Sequence, residues 1–560
     1  MKVKKLTALF LTAAIATLIL AGCGQSQNQT EATENSEESK NVVSKEEEQA
    51  QSTDAEITFP LDEPYEVDVV VCGGNDVVYE LKDTYIYQYM EEKTNVKMNV
   101  TTLAFSELAE KINLMLSAGD YPDVFFKAGL TPESYISQGI IVPLEDYMTE
   151  YAPNYSALIE AQPGGWANVT SGDGHVYSFY KIDSPNDTTF GGIPFMYINT
   201  QWLENLGLDM PHDPDSFYEV MKAFKDEDAD GDGDSDNEVP LIFAGGNIIP
   251  VDDILPYFGF NMESFGSGWA LSNDSSSVEY YAITERYKEA LAYMAKLYEE
   301  GIMYKDSLTL THDQVESMGQ TGTPIGCFVA WDPQYTVGAY DSSLPYEENL
   351  VTQYKAMPPW DGAKATSAST LSNGGMYITD KCERPDVMVA WTDLLYSEET
   401  TMLSNFGVEG ETYNIIDGNK VELINEDGLV QSDVNPHLLT LGGGTTAPYK
   451  NYVDGYERYY DTESNPYIRY VNEVNAEWQE AGKKYDPWPA YKLTVEETEE
   501  NSDILADTEP YREQYRAEVI TGVKDLDATW DEYVATMEEM RIQTAIDNVN
   551  AAYQRYLSLD

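Results

Sequence analysis

Eleven consecutive residues, Asp228-Ala229-Asp230-Gly231-Asp232-Gly233-Asp234-Ser235-Asp236-Asn237-Glu238, place a carboxylate at every second position. Hard divalent cations are held by rings of oxygens, and alternating carboxylates wound about a sharp glycine turn supply such a ring. With Asp228 as position 1, Gly233 falls at position 6, as in the first half of an EF-hand-type loop. A full loop of that type carries a bidentate Glu at position 12. Here Val239 holds that place and Glu238 comes one residue early, so the bidentate ligand is left open. The candidate metal ligands are Asp228, Asp230, Asp232, Asp234, Asp236 and Glu238. Position 7 ordinarily gives its backbone carbonyl, which lets the Asp234 carboxylate point outward. The simpler alternative is a solvated acidic turn with no ion.

Other reactive side chains form no such pattern. His175, His212, His312 and His437 are scattered, with no HExxH and no zinc spacing. No GxSxG elbow marks a hydrolase, and two carboxylates chosen from 98 acids are no evidence for a glycosidase. Cys23, Cys72, Cys327 and Cys382 lie in no CxxC pattern.

The amino terminus fixes the compartment. Lys2, Lys4 and Lys5 precede an apolar run from Leu6 to Leu20, and small residues follow, as in a secretory signal spanning residues 1–22. Leu20-Ala21-Gly22-Cys23 has the form of a bacterial lipobox, in which the Cys23 thiol receives diacylglycerol. With Cys23 assigned to lipid, three cysteines remain, so at least one stays unpaired within the chain; the spacing does not choose a pair. Residues 23–57 are polar with almost no large apolar side chains, and cannot bury enough surface to offset their ordering entropy. They read as a flexible tether. The remaining stretch of about 500 residues exceeds what one core holds, so two or more lobes are expected. A formal net charge of −65 excludes nucleic acid as a natural partner.

Along the chain, β-branched or apolar runs alternate with helical spacing. Val67–Val71, Val124–Phe126, Phe195–Asn199 and Pro324–Ala330 read as strands. Tyr85–Glu92, Ala104–Leu116, a capped helix after Asp215 and Tyr281–Glu300 read as helices. This is the doubly wound α/β rhythm, whose ligands sit beyond the carboxyl ends of the strands.

NLMLSAGDYPDVFF (113–126), GIIVPLEDYMTEYAPN (139–154) and MYINTQWLENLGLDMPHDPDSFYEVMKAFK (196–225) resemble, in that order, the extracellular solute-binding family 1 of ABC importers. NFGVEGETYNIIDGNK (405–420) and the tail from Tyr515 to Tyr556 are similar to its long lipoprotein branch in Gram-positive bacteria. The resemblance implies a periplasmic-binding-protein-like α/β fold, with two doubly wound lobes joined by a multi-segment hinge and the ligand in the cleft between them. It places residues 58–180 plus 366–405 in the N-terminal lobe and 185–360 plus 406–560 in the C-terminal lobe. Crossings are expected near 180–192, 355–372 and 400–410. It further implies a structural Ca2+ in the loop 228–238 and a non-enzymatic monomer lipid-anchored to the outer face of the cell membrane. That monomer would pass an oligosaccharide to ABC permease subunits.

Sugars offer apolar C–H faces and a rim of hydroxyls, so their sites pair aromatic platforms with polar side chains. By the likeness to maltodextrin-binding relatives, Trp331, at the exit of the 324–330 strand, and Tyr177, leading into the first crossing, are the foremost candidates. Asn75, Asp123, Trp166, Trp269, Trp360 and Asn373 complete the set. The rival readings are a surface-anchored glycosidase or lyase, and a sensor or adhesin that feeds no transporter. Ligand identity is not legible in the sequence.

Overall fold

The computed structural model describes residues 57–72, 85–126, 133–162, 164–183, 195–244, 251–263, 267–330, 332–341, 343–364, 371–410, 412–423, 450, 452–458, 474, 478, 482 and 488–558. The leader, Cys23 and the tether lie outside them, as do Asn75 and Trp331. Among the described residues no helix is long and apolar enough to cross a membrane.

In chain order the strands are β1 (Tyr65–Cys72), β2 (Val96–Leu103), β3 (Val124–Phe126), β4 (Phe179–Ile182) and β5 (Phe195–Asn199). There follow β6 (Val239–Ile242), β7 (Asn261–Met262), β8 (Trp269–Leu271), β9 (Val278–Tyr280) and β10 (Ile325–Ala330). The last are β11 (Tyr354–Ala356), β12 (Leu371–Ile378), β13 (Tyr413–Ile416), β14 (Lys420–Leu423) and β15 (Glu457–Arg458). They form a five-stranded sheet, β2-β1-β3-β12-β4, a four-stranded sheet, β11-β5-β10-β6, and two three-stranded sheets, β7-β8-β9 and β13-β14-β15.

Alternation along the strands gives each main sheet two covered faces, as doubly wound sheets require. In β1, Val67, Val69 and Val71 join one cluster with Phe126, Met148 and Trp391. Val70 points the other way, to Phe125, Ile112 and Leu116. In the second sheet Met196, Ile198, Leu241 and Cys327 face one core, while Tyr197, Ile242 and Phe328 face another. Cys327 and Cys382 are buried free thiols.

Local chemistry explains the helix ends. The helix Phe105–Ala118 stops at Gly119, whose φ of +70° closes the turn at little cost. The helix Pro214–Asp226 starts on a capping box in which Asp213 and Ser216 satisfy each other's backbone N–H groups, with Pro214 in the first turn. Helices Val495–Ile520, Leu526–Glu539 and Ile542–Leu557 pack on the second sheet's larger core through Tyr515, Trp530, Tyr533 and Tyr553.

The chain passes from the first sheet to the second between Ile182 and Phe195, and back between Ala356 and Leu371. Lys450 bridges to Ile182, Asn405 donates to the Lys450 carbonyl at 2.9 Å, and Tyr452 packs on the first core. Val408 packs there too, whereas Val474 and Trp478 pack on a core of the second sheet. The bodies also touch directly. Tyr556 donates to Asn168 at 3.2 Å, and a Cβ on Gly172 would lie 2.3 Å from the Leu493 carbonyl oxygen, so only glycine fits there.

Candidate ligand cleft and metal loop

Strand direction sorts the candidate residues. β1 runs parallel to β2 and β3, and β12 runs antiparallel to both β3 and β4, so β1 to β4 all point one way. Their carboxyl ends are Cys72, Leu103, Phe126 and Ile182, and β12 enters at that same end through Leu371. In the second sheet β6 and β10 are parallel, and β5 is antiparallel to β10 and β11. Ile242, Ala330 and Ala356 thus end together, beside Phe195 at the start of β5. Both crossings, 183–194 and 357–370, leave the carboxyl end of one sheet and enter the other sheet at its matching end. Ligands of open α/β sheets bind in the crevice outside these ends.

One described candidate stands on this side: Asn373 lies near the start of β12, where the pairing with β4 shifts register. Asn75, after β1 in sequence, and Trp331, after β10, lie outside the described residues. Two stand on the opposite side. Asp123 precedes β3, accepts the Asp68 backbone N–H at 2.8 Å, and takes the Thr379 N–H on its own carbonyl. Tyr177 precedes β4, is 6% exposed, and donates to Asp173 at 2.8 Å. Burial and the adjacent Asp173 carboxylate push its phenol up. Both residues stand at amino ends, with the Asp123 carboxylate and the Tyr177 hydroxyl engaged within the fold.

The other three tryptophans pack. Trp360 is 2% exposed, enclosed by Phe217, Tyr257, Phe258 and Tyr293. Trp269 lies on β8, edge-on to Tyr280 at 5.1 Å. Both are core residues in this structure. Trp166 is half-buried against Tyr155, with ring centroids 6.2 Å apart. Burial was the property that residue type could not reveal.

The acidic loop joins the helix Pro214–Asp226 to β6, at that strand's amino end. Carboxylate oxygens of Asp228, Asp230 and Asp232 lie within 4.8 Å of one another. Asp228 accepts the N–H groups of Gly231 (2.9 Å) and Gly233 (3.0 Å), and Gly233 takes the φ of +96° that the turn needs. Asp234 and Asp236 are exposed, and Asp234 accepts the Asp236 N–H at 3.2 Å. Glu238 folds back. Its Oε1 accepts from Ala229 N–H at 3.0 Å, while Oε2 is buried with no partner. Burial, with Asp230 and Asp228 nearby, raises its carboxyl. An orphaned, buried carboxylate oxygen beside the triad fits a cation there. Glu238 stands one place before position 12 of the loop.

Comparison with known proteins agrees with this architecture. The family model of bacterial extracellular solute-binding proteins matches residues 78–402, and the chain belongs to that family. It is similar to the fructooligosaccharide ABC transporter substrate-binding protein FusA of Streptococcus pneumoniae serotype 4, at 26% identity over 98% of both chains. The fold is shared with an EF-hand mutant of FusA in complex with fructo-nystose (TM-score 0.71, 22% identity, 88% of this chain and 100% of that one). It is shared also with an HMO-binding, ABC-transporter-associated solute-binding protein of Bifidobacterium longum infantis (TM-score 0.72, 20% identity, 88% and 99%).

Proposed function

We propose that the chain is the lipid-anchored, extracellular binding component of an ABC importer, and that it captures an oligosaccharide and releases it unaltered. The observation that carries this reading is the joining of both sheets' carboxyl ends by the two crossings, with Asn373 on the strand that enters there. Closing such halves on a guest adds contacts that the open form lacks, which is how ligand shifts the equilibrium. The fructooligosaccharide named for the full-length relative supports the ligand class. Cys23 would carry the lipid, residues 24–57 the tether, and the permease subunits the only protein contact needed by a monomer.

The loop 228–238 would hold Ca2+ through Asp228, Asp230, Asp232 and Glu238. The EF-hand named in the structural relative supports this assignment. The ion would neutralise converging carboxylates and fix the entry to β6; it stands at an amino end and so takes no part in gripping sugar. Titration calorimetry of the lipid-free chain against kestose, nystose and a panel of other oligosaccharides tests the proposal. Saturable binding with the sugar recovered intact is expected. Consumption of the sugar, or no heat with any glycan, overturns it.

A further inference from the structure

The two crossings meet the second sheet at one pair of residues. β5 and β11 run antiparallel with Ala356 opposite Tyr197. One step on, Met357, the first residue of the second crossing, faces Met196, the second residue of β5. In a regular ladder such a pair exchanges two hydrogen bonds. Here one is direct: the Met357 N–H donates to the Met196 carbonyl at 2.8 Å. The return bond runs through a side chain. The Met196 N–H donates to the Tyr257 hydroxyl at 3.3 Å, and that hydroxyl donates to the Met357 carbonyl at 3.0 Å. One phenol is set into the last rung of the ladder, where the first crossing ends and the second begins.

The rung is closed to water and its surroundings are fastened down. Met196, Met357 and Tyr257 are all buried. Burial pushes the phenol up, so it keeps the proton that it donates. Tyr257 belongs to the 3-10 helix Val251–Phe258, whose Asp252 pairs with Arg516 of the helix Val495–Ile520 at 2.6 Å. The second crossing is held as it leaves the sheet. Trp360 packs on the Tyr257 ring with centroids 5.5 Å apart, and the Asp361 N–H donates to the His212 carbonyl at 2.8 Å. Buried backbone groups need partners. Without the hydroxyl, the Met196 N–H and the Met357 carbonyl either stay unpaired or close on each other, and both outcomes disturb the root of the two crossings.

That root matters to a protein that works by closing two halves. Hinges are a few residues at the ends of elements that take up the change in backbone angles. A relay supplied by a third element sets the spacing of the two crossings and holds them against sliding at the second sheet. Looseness between the halves is freedom that a guest must remove on binding, so a fixed root strengthens capture. We infer that Tyr257 is a positioning residue for ligand capture: its hydroxyl fixes where both crossings leave the second sheet, and so sets how the two halves meet. The inference rests on the closing halves of the reading above and names a residue that acts on them without touching the guest.

The test compares Tyr257→Phe with Tyr354→Phe. Tyr354, buried on β11, donates its hydroxyl to the Ile325 carbonyl at 2.5 Å, at the amino end of β10 and away from the crossings. Each variant keeps its ring and loses one buried hydroxyl bonded to this sheet, so both are expected to fold and to melt below the wild type. Distances between the halves are read by double electron–electron resonance from spin labels at Lys97→Cys and Lys305→Cys, both exposed. The labels are carried on a lipid-free Cys23→Ser/Cys72→Ser chain, in which Cys327 and Cys382 are buried. Without sugar, Tyr257→Phe should shift or widen the distance distribution, and Tyr354→Phe should leave it as in the wild type. Calorimetry against nystose, or the sugar of the panel above that binds most tightly, should show affinity falling about two- to tenfold in Tyr257→Phe alone, the worth of one hydrogen bond. An unchanged distribution in Tyr257→Phe overturns the inference, as does an equal change in Tyr354→Phe. A changed distribution at unchanged affinity overturns the role in capture. A wild type that binds no oligosaccharide defeats the functional reading and that role with it, while the label distances still decide whether the hydroxyl sets the halves.

Discussion

The two ends of the sheets treat their polar groups differently. At the amino ends the polar side chains are already engaged within the fold. Asp123 holds the Asp68 N–H, Tyr177 holds Asp173, and Asn199 caps the helix Thr200–Leu206 by accepting the Trp202 N–H. Beyond the carboxyl ends the pattern loosens. Past the exit of β6, Asp253 is buried with neither carboxylate oxygen partnered, beside Asp252, which pairs with Arg516 at 2.6 Å. A group spent on the scaffold cannot also grip a guest, so the chemistry of recognition belongs where the scaffold has left capacity. The metal loop obeys the same logic from the other side: its one orphan oxygen, on Glu238, sits at an amino end and calls for an ion that stabilises the fold.

The largest effect that could break this contrast is removal of the metal. With free calcium at about a hundred times its dissociation constant, binding adds about 2.7 kcal/mol to stability. Chelation, or Asp228→Ala, should lower the melting temperature by several degrees at unchanged sugar affinity. An identical midpoint with and without chelator removes the ion from the loop, and lost affinity at constant melting temperature would move it to the cleft. Next in size is Trp331→Ala. If the indole stacks on a sugar as aromatic rings stack on bases, affinity falls by about 1–3 kcal/mol with the fold unaffected. Unchanged calorimetric affinity takes Trp331 out of the site.

Asp253 offers a pH signature. Burial, with Asp252 close by, raises its carboxyl well above the usual range, against the pull of Arg516. The folded state therefore holds this proton more tightly than the unfolded chain does. Its contribution to stability is present at acid pH and lost as pH rises from the unfolded value of about 4 through the folded one. Asp253→Asn removes that loss and should stabilise the protein at neutral pH by about 1 kcal/mol or more, the gap closing in acid. Thermal melts across pH check the sign. A variant that is less stable at neutral pH, or a gap that stays constant with pH, contradicts it.

Much of this was legible in the residues. VDVVV, VFF, FMYIN and the 324–330 run are strands because both faces of their sheets are covered, which leaves continuous apolar runs. β2 escaped notice because it is the edge of its sheet: one partner and outward-facing Lys97, Asn99 and Thr101 erase the apolar signal. The helix expected over 281–300 begins at Glu285, because Thr284 caps it and Tyr281–Ile283 forms a separate 3-10 turn. The site was less legible, and for a geometric reason. Sequence places a residue beside a strand but does not say which way that strand points in the sheet. Asp123 and Tyr177 each adjoin a strand, and only the pairing of β12 with both β3 and β4 shows that they stand at amino ends. Nor does residue type tell that Trp269 and Trp360 are buried.

The smallest expected effect isolates that point. Tyr177→Phe deletes one hydroxyl and keeps the ring that packs against Val70, Phe125 and Tyr377. The lost partner is the exposed Asp173 carboxylate, which water can reach once the phenol is gone. Stability should therefore fall by only about 0.5–1.5 kcal/mol, the usual net worth of one such hydrogen bond. Sugar affinity should not change, because the hydroxyl lies at the amino end of β4, with the length of that strand between it and the first crossing. Paired calorimetry and thermal melting of the variant separate the two quantities. A loss of affinity larger than the loss of stability would mean that an amino-end tyrosine reaches the ligand, and the division of labour between the two ends would fail at its most direct test.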